Sequence, residues 1–320
     1  MKILLIRFSS IGDIVLTSPI IRCIKQQLAN AEIHFLTKNS FRDLVEANPN
    51  ITKVIGFEND IKEVQATLEN EQYDVVIDLH DNIRSRQVCQ FLNAKVYRYN
   101  KQRFKRFMLV QFKINWLNNH IVDRYFSAAK KLNVLNDGKG LDFFISPKNE
   151  ISYDKLPFTH CAGFAVIVVG AKHFTKQIPL KKLEELCRKI SIPIILIGDK
   201  NDSEKSNQLA KIDEFKIYNA CGKFNLQQSA SIIKKAKYII TPDTGMMHIA
   251  AAFNKRIIVV FGGTDKRLGF TPYTSSVNWT MIENTSLSCR PCHKHGLDAC
   301  PKKHFKCMND LEMQKIIDLL

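Results

Sequence analysis

At 320 residues with 45% hydrophobic side chains, the chain can bury a sizeable core and is long enough for two domains. Lys and Arg number 47 against 31 Asp and Glu, a formal net charge of +16; this favours a polyanionic partner, whether nucleic acid, a phosphate-bearing substrate or an anionic membrane surface. No apolar run approaches the ~18 residues that cross a bilayer, which points to a protein that at most touches a membrane.

The chain opens on a short apolar run, Ile3 to Ile6, broken by Arg7. That is a first strand and not a signal peptide, so a cytoplasmic location is expected. Strand-like runs follow at 33–36, 53–57, 74–79 and 95–99, separated by stretches of helical spacing, as βα units of a parallel sheet require. Residues 147–159 are irregular, with two prolines. A second series then places strands at 164–169, 194–197, 216–218, 238–240 and 257–261. Leu180, Leu183, Leu186, Cys187 and Ile190 mark one face of a helix between them. The expected fold class is α/β, two doubly wound Rossmann-like halves with a linker near 150: an N-terminal domain over 1–152, a C-terminal domain over 153–307 and a terminal helix over 308–320.

In such sheets ligands bind beyond the carboxyl ends of the strands. The loop after the first strand reads FSSIGD (8–13). After the first strand of the second half comes VGAKHFTKQIP (169–179), then IGDKND (197–202), then TPDTGMMHIAAAF (241–253). In the last, Gly245 loosens the turn while Met246, Met247 and the alanines favour helix at once. A strand, tight turn and helix N-terminus aim backbone N–H groups and the positive end of a helix dipole at one point, which suits phosphate. Neither G-x-G-x-x-G nor G-x-x-x-x-G-K-[ST] occurs, against a dinucleotide oxidoreductase and a P-loop NTPase. No two aspartates stand two apart, so a diphosphate would be held by protein groups without a metal.

KILLIRFSSIGDIVLTSPIIRCIK (2–25) and TPDTGMMHIAAAF together resemble the two signature segments of the ADP-heptose:lipopolysaccharide heptosyltransferases, a family of GT-B glycosyltransferases. DLHDNIRS (78–85) and a late group of cysteines are also similar to family members, and the resemblance covers nearly the whole chain. It implies inverting transfer of a heptose from ADP-heptose to a hydroxyl of the lipopolysaccharide inner core, in a cleft between the halves. No cofactor is implied. A related GT-B transferase using another nucleotide sugar, or a basic nucleic-acid-binding protein with two Rossmann-like domains, is the alternative.

By position, Asp13 near the start of the first helix is either a plain cap or a carboxylate placed to accept a proton. The resemblance makes it the catalytic base, with Ser9, Ser10 and Gly12 forming the turn the acceptor approaches. It likewise places Lys176 on the diphosphate, with Asp243, Thr244, Gly245, Met246 and His248 completing the donor cradle. Asp202 falls on the ribose and Phe224 near the adenine, although Asp202 also reads as a helix cap and Phe224 as a core residue.

Acceptor binding is expected in the first half. Residues 95–113 carry seven Lys or Arg and no acid, interleaved with Tyr97, Tyr99, Phe104, Phe107 and Phe112. That pattern fits a nucleic-acid surface or an interfacial segment on anionic lipid; an acidic glycolipid in a membrane satisfies both features. Arg84, Arg103, Lys105 and Arg106 are the acceptor-side candidates, with peripheral contact at the inner face of the cell membrane and no nucleic acid partner. Of nine cysteines, Cys23, Cys89, Cys161, Cys187 and Cys221 are scattered in apolar contexts. Cys289, Cys292, Cys300 and Cys307 form one close pair and two singles, not the doubled C-x2-C of a zinc ribbon; reduced loop thiols are expected and no metal ligand is assigned.

Overall fold

A computed structural model describes residues 1–320, which fold as two compact units: 1–102 with 119–144, and 103–118 with 145–320. The first unit holds five parallel strands, β1 (Lys2–Ile6), β2 (Glu32–Lys38), β3 (Lys53–Phe57), β4 (Val75–Asp78) and β5 (Lys95–Arg98), in the order β3-β2-β1-β4-β5. Ile3 to Ile6 have no exposed surface, the mark of a central strand covered on both faces. The order reverses between β1 and β4, so the loops after these two strands flank the crevice where such sheets bind ligands.

The second unit holds β6 (Ala165–Val168), β7 (Ile194–Ile197), β8 (Ile217–Asn219), β9 (Tyr238–Pro242), β10 (Arg256–Phe261) and β11 (Trp279–Glu283), all parallel, in the order β11-β10-β9-β6-β7-β8. Its reversal lies between β6 and β9, which pair directly. The helix Leu180–Lys189 buries Leu183, Leu186 and Cys187 against the sheet, the face its spacing predicts.

Four features differ from the sequence expectation. The first helix is two pieces, Ile11–Val15 and Ser18–Gln27, with Pro19 opening the second, where its missing N–H costs nothing. The edge strand β11 is not anticipated, because its Thr280 and Glu283 break the apolar run. The helix Arg103–Phe112, expected in the first half, belongs to the second unit: Leu109 and Leu117 pack on Leu268 and Phe270. Segment 308–320, expected as one helix returning to the first half, has a helical turn at Gln314–Ile317 and gives Met308, Leu311, Met313 and Ile316 to the second unit's core.

Candidate functional site

In the first unit, the chain leaves β1 through Arg7 to Ser10 and enters the short helix at Ile11. Ser10 is its N-cap and Asp13 its third residue. The Ser10 hydroxyl donates to Asp13 Oδ2 (2.9 Å), and Arg7 pairs with Oδ1 (2.7 Å). Arg7 is itself immobilised: Nε donates to the Ser9 carbonyl (2.7 Å) and Nη1 to the Leu79 carbonyl (2.5 Å), while the guanidinium lies over the Tyr125 ring. Tyr125, fully buried on the helix Ile121–Ala129, donates its hydroxyl to Asp13 Oδ1 at 3.5 Å. Burial holds that phenol well above its usual pKa, so it stays a donor.

Neither Arg7 nor Tyr125 is among the candidates drawn from the sequence. Arg7 had a signal, a charge inside an apolar run just before the loop. Tyr125 had none, since its partner lies 112 residues away in sequence. Beyond β4, His80 sits with its ring 4.8 Å from that of Phe8 and its Nδ1 buried without a hydrogen-bond partner. Burial first, then Arg7 and Lys101, lower its pKa to about 3, so it is neutral near pH 7. Arg84 is exposed, in the first turn of the helix Ile83–Phe91, and lines an open groove with Asp60, Lys62, Gln87 and Phe91.

In the second unit, adjacency of β6 and β9 brings their loops together. Lys176 Nζ lies 2.8 Å from Asp243 Oδ2, and the Thr264 hydroxyl donates to the same oxygen (2.8 Å). Burial pushes the Asp243 carboxyl upward, but Lys176 and then Thr264 and His248 outweigh it and hold it below the ordinary carboxylate range. Thr244, in extended conformation, is the N-cap of the helix Gly245–Ala252, whose first N–H groups at Gly245 and Met246 begin beside this pair; His248 is buried within its first turns.

Asp202 lies over the ends of β6 and β7. A Cβ on Gly170 or Gly198 would run into its carboxylate, so glycine just past each strand lets it approach. It accepts from the Asp199 N–H (2.9 Å), and burial raises its pKa. Phe224 is half-buried just before the Asn225 cap of the helix Leu226–Lys235. Thr264 and Arg290 are likewise absent from the sequence candidates. Arg290, almost fully buried, donates to the carbonyls of Gly262 (2.6 Å) and Thr264 (3.1 Å) and pairs with Glu283, fixing the loop after β10.

The basic segment divides. Arg103 and Lys105 lie on the helix Arg103–Phe112 with Phe104, Phe107 and Phe112 each more than half exposed. Arg106, expected to meet a headgroup, is instead buried with its guanidinium 5.8 Å from the Phe270 ring centre, a packing position. Glu32, His34 and Glu71 also gather in the first unit, but Lys53 and Lys2 engage Glu71 and lower its pKa to about 2, which leaves little for a cation.

Residues 61–302 match the model of glycosyltransferase family 9 (heptosyltransferase). The chain belongs to this family. Among relatives, lipopolysaccharide heptosyltransferase 1 of Campylobacter coli is 26% identical, over 82% of this chain and 84% of that protein. Lipooligosaccharide heptosyltransferase 2 of Campylobacter jejuni is 25% identical, over 99% and 97%. The solved structure of Escherichia coli ADP-heptose lipopolysaccharide heptosyltransferase II is similar in fold, with a TM-score of 0.71 at 21% identity, covering 99% of this chain and all of that one. The two parallel-sheet units are therefore the Rossmann-like halves of a GT-B glycosyltransferase of the heptosyltransferase family.

Proposed function

We propose that this heptosyltransferase moves a heptose from ADP-heptose to a hydroxyl of the lipopolysaccharide inner core, with inversion at the anomeric carbon and without a divalent metal on the diphosphate. The observation that carries this is the Lys176–Asp243–Thr264 group at the N-terminus of the helix Gly245–Ala252. Asp243 takes one direction of the Lys176 ammonium, leaving its other N–H donors and the helix amides for the diphosphate. Asp13 accepts the proton of the acceptor hydroxyl; the freed oxygen attacks the anomeric carbon as the bond to the diphosphate breaks, and ADP leaves with its charge met by Lys176 and the helix N-terminus. Asp202 at the ends of β6 and β7 takes the ribose, and Phe224 the adenine.

The relatives' names supply the lipopolysaccharide acceptor and the structural neighbour's name the ADP-heptose donor. The exposed Phe104, Phe107, Phe112 and Trp116 beside Arg103 and Lys105 support a peripheral seat on anionic lipid at the cytoplasmic face, in place of a nucleic acid. No helix is long and apolar enough to cross a membrane. Thermal shift with ADP, UDP and GDP tests the donor: ADP raises Tm and the others raise it less. Equal shifts with all three, or none with any, would refute the donor assignment.

A further inference from the structure

In the donor cradle Asp243 holds the ammonium of Lys176, but lysine carries that charge on a flexible four-carbon stem, so its aim also depends on where the backbone is held. The loop that bears it, 169–179 between β6 and the helix Leu180–Lys189, is shaped around the single turn Phe174–Lys176. The three residues before Lys176 all contact one other stretch of chain, 284–305, between β11 and the turn Lys306–Asn309. His173 Nδ1 lies 3.0 Å from Asp298 Oδ1, the Phe174 ring is centred 4.6 Å from that of Phe305, and Thr175 is hydrogen-bonded to Leu297.

These contacts are unequal. The Asp298 side chain is 91% exposed, and an ion pair in water contributes little. Thr175 is 2% exposed, and each of its polar groups is engaged. Its N–H donates to the Leu297 carbonyl (3.0 Å), its Oγ1 accepts from the Leu297 N–H (2.8 Å) and its carbonyl accepts from the Gly263 N–H (2.9 Å). The last bond closes a ring. Gly263 is followed by Thr264, whose hydroxyl meets Asp243 Oδ2 at 2.8 Å, and Lys176 Nζ meets the same oxygen at 2.8 Å. A Cβ on Gly262 would lie 2.7 Å from the Thr175 carbonyl oxygen and one on Gly263 3.0 Å from Thr175 Cβ, so glycine at both positions lets Thr175 come this close.

We propose that Thr175 is a positioning residue for transfer, acting through Lys176, and that the stretch 284–305 belongs to the donor site by way of it. This rests on the reading of Lys176 as a ligand of the donor diphosphate. Asp243 fixes the ammonium end of the Lys176 side chain, and the bonds of Thr175 to Leu297 and Gly263 fix the backbone end. With both ends held, little side-chain freedom is left to lose when the diphosphate binds. Threonine suits the position on two counts. Its hydroxyl accepts the Leu297 N–H, a donor that costs free energy when left unpaired inside a protein, and its β-branch stiffens χ1 and so keeps the hydroxyl on that N–H.

The test is a double-mutant cycle on the whole chain, read by isothermal titration of ADP and by steady-state kinetics. Thr175→Val keeps the side-chain volume and deletes the acceptor; it should weaken ADP binding about tenfold, the worth of one buried hydrogen bond, with the acceptor KM unchanged. Thr175→Ser keeps the hydroxyl and loses a buried methyl, so it should lower Tm and still bind ADP as the wild type does. In a Lys176→Ala background, Thr175→Val should cause no further loss, because the group it positions is gone. The inference is overturned, with the donor reading intact, if Lys176→Ala weakens ADP binding but Thr175→Val does not. It is equally overturned if affinity falls in step with Tm in both the valine and serine variants, or if the valine effect persists undiminished in the Lys176→Ala background. Normal ADP binding by Lys176→Ala alone would remove the donor reading and this inference with it.

Discussion

The Arg7–Asp13 pair of the first unit and the Lys176–Asp243 pair of the second are built alike and, in the proposed reaction, used in opposite senses. Each joins a carboxylate and a cation beyond the end of a central strand, at 2.7 and 2.8 Å. In the first, the cation is the buried partner: the Arg7 side chain is 9% exposed against 18% for Asp13, and Arg7 spends its other donors on two carbonyls. In the second, the acid is the buried partner: Asp243 is 10% exposed against 16% for Lys176 and also accepts from Thr264. In the proposed reaction the more exposed member of each pair meets the ligand and the other orients it. A carboxylate facing outward suits an attacking hydroxyl, and an ammonium facing outward suits a departing diphosphate.

Removing the outward member of each pair tests this opposition most severely. Asp13→Asn should lower kcat by about 10²–10⁴-fold with ADP affinity unchanged, since a general base is worth that much and does not touch the donor; steady-state kinetics with isothermal titration of ADP checks both. Arg7→Met should cost about 10²-fold in kcat by letting Asp13 move, again with ADP binding intact. If Asp13→Asn kept full activity, Asp13 would be only a helix cap.

Lys176→Ala should cost about 10²–10³-fold in kcat and, unlike Asp13→Asn, also weaken ADP binding. The wild-type rate should survive removal of magnesium and manganese by EDTA, because these protein donors do the work of a divalent ion. Rates that collapse in EDTA and return with magnesium would move that role to a metal.

Acid should act on His80 and on Asp243 in different pH windows. His80 has a folded pKa of about 3 against an ordinary 6.5, so the unfolded chain binds more protons between these values. Its contribution is complete above pH ~6.5 and falls as pH drops toward 3, with a slope of at most about 1.4 kcal/mol per pH unit. Asp243, whose pKa is lowered, contributes above its unfolded value near 3.8 and is lost only below that. Tm measured from about pH 7 to about pH 4 should therefore decline, and His80→Gln should flatten the decline. An unchanged slope in that variant would remove His80 from the account.

A milder effect is expected at the basic helix. Replacing Arg103 and Lys105 with Ser should weaken binding to anionic vesicles by ~1 kcal/mol per residue, about fivefold each, and leave ADP affinity unmoved. Adding Arg106→Ser should lower Tm, because that side chain packs on Phe270; a flotation assay and a thermal melt distinguish the two.

Local order is legible in the chain alone. Apolar runs of strand length account for most of both sheets, and an acid, a hydroxyl or a glycine just past each run marks Asp13, Asp202 and Asp243, because a βα turn places a strand's end and a helix's start within a few residues. Gly170 and Gly198 are legible in the same way as loop glycines, though not as seats for the Asp202 carboxylate. Which groups meet is settled only when the chain has folded. Periodicity says which face of the helix Arg103–Phe112 is apolar, but that stripe would fit either core, and it is Leu268 and Phe270 of the second unit that fill against it. Tyr125 reaches Asp13 only because the helix Ile121–Ala129 packs against β4 and β5, and Thr264 reaches Asp243 because β9 and β10 pair directly. Hydrophobic burial is non-directional, so a sequence can announce that a surface will be covered without specifying by what.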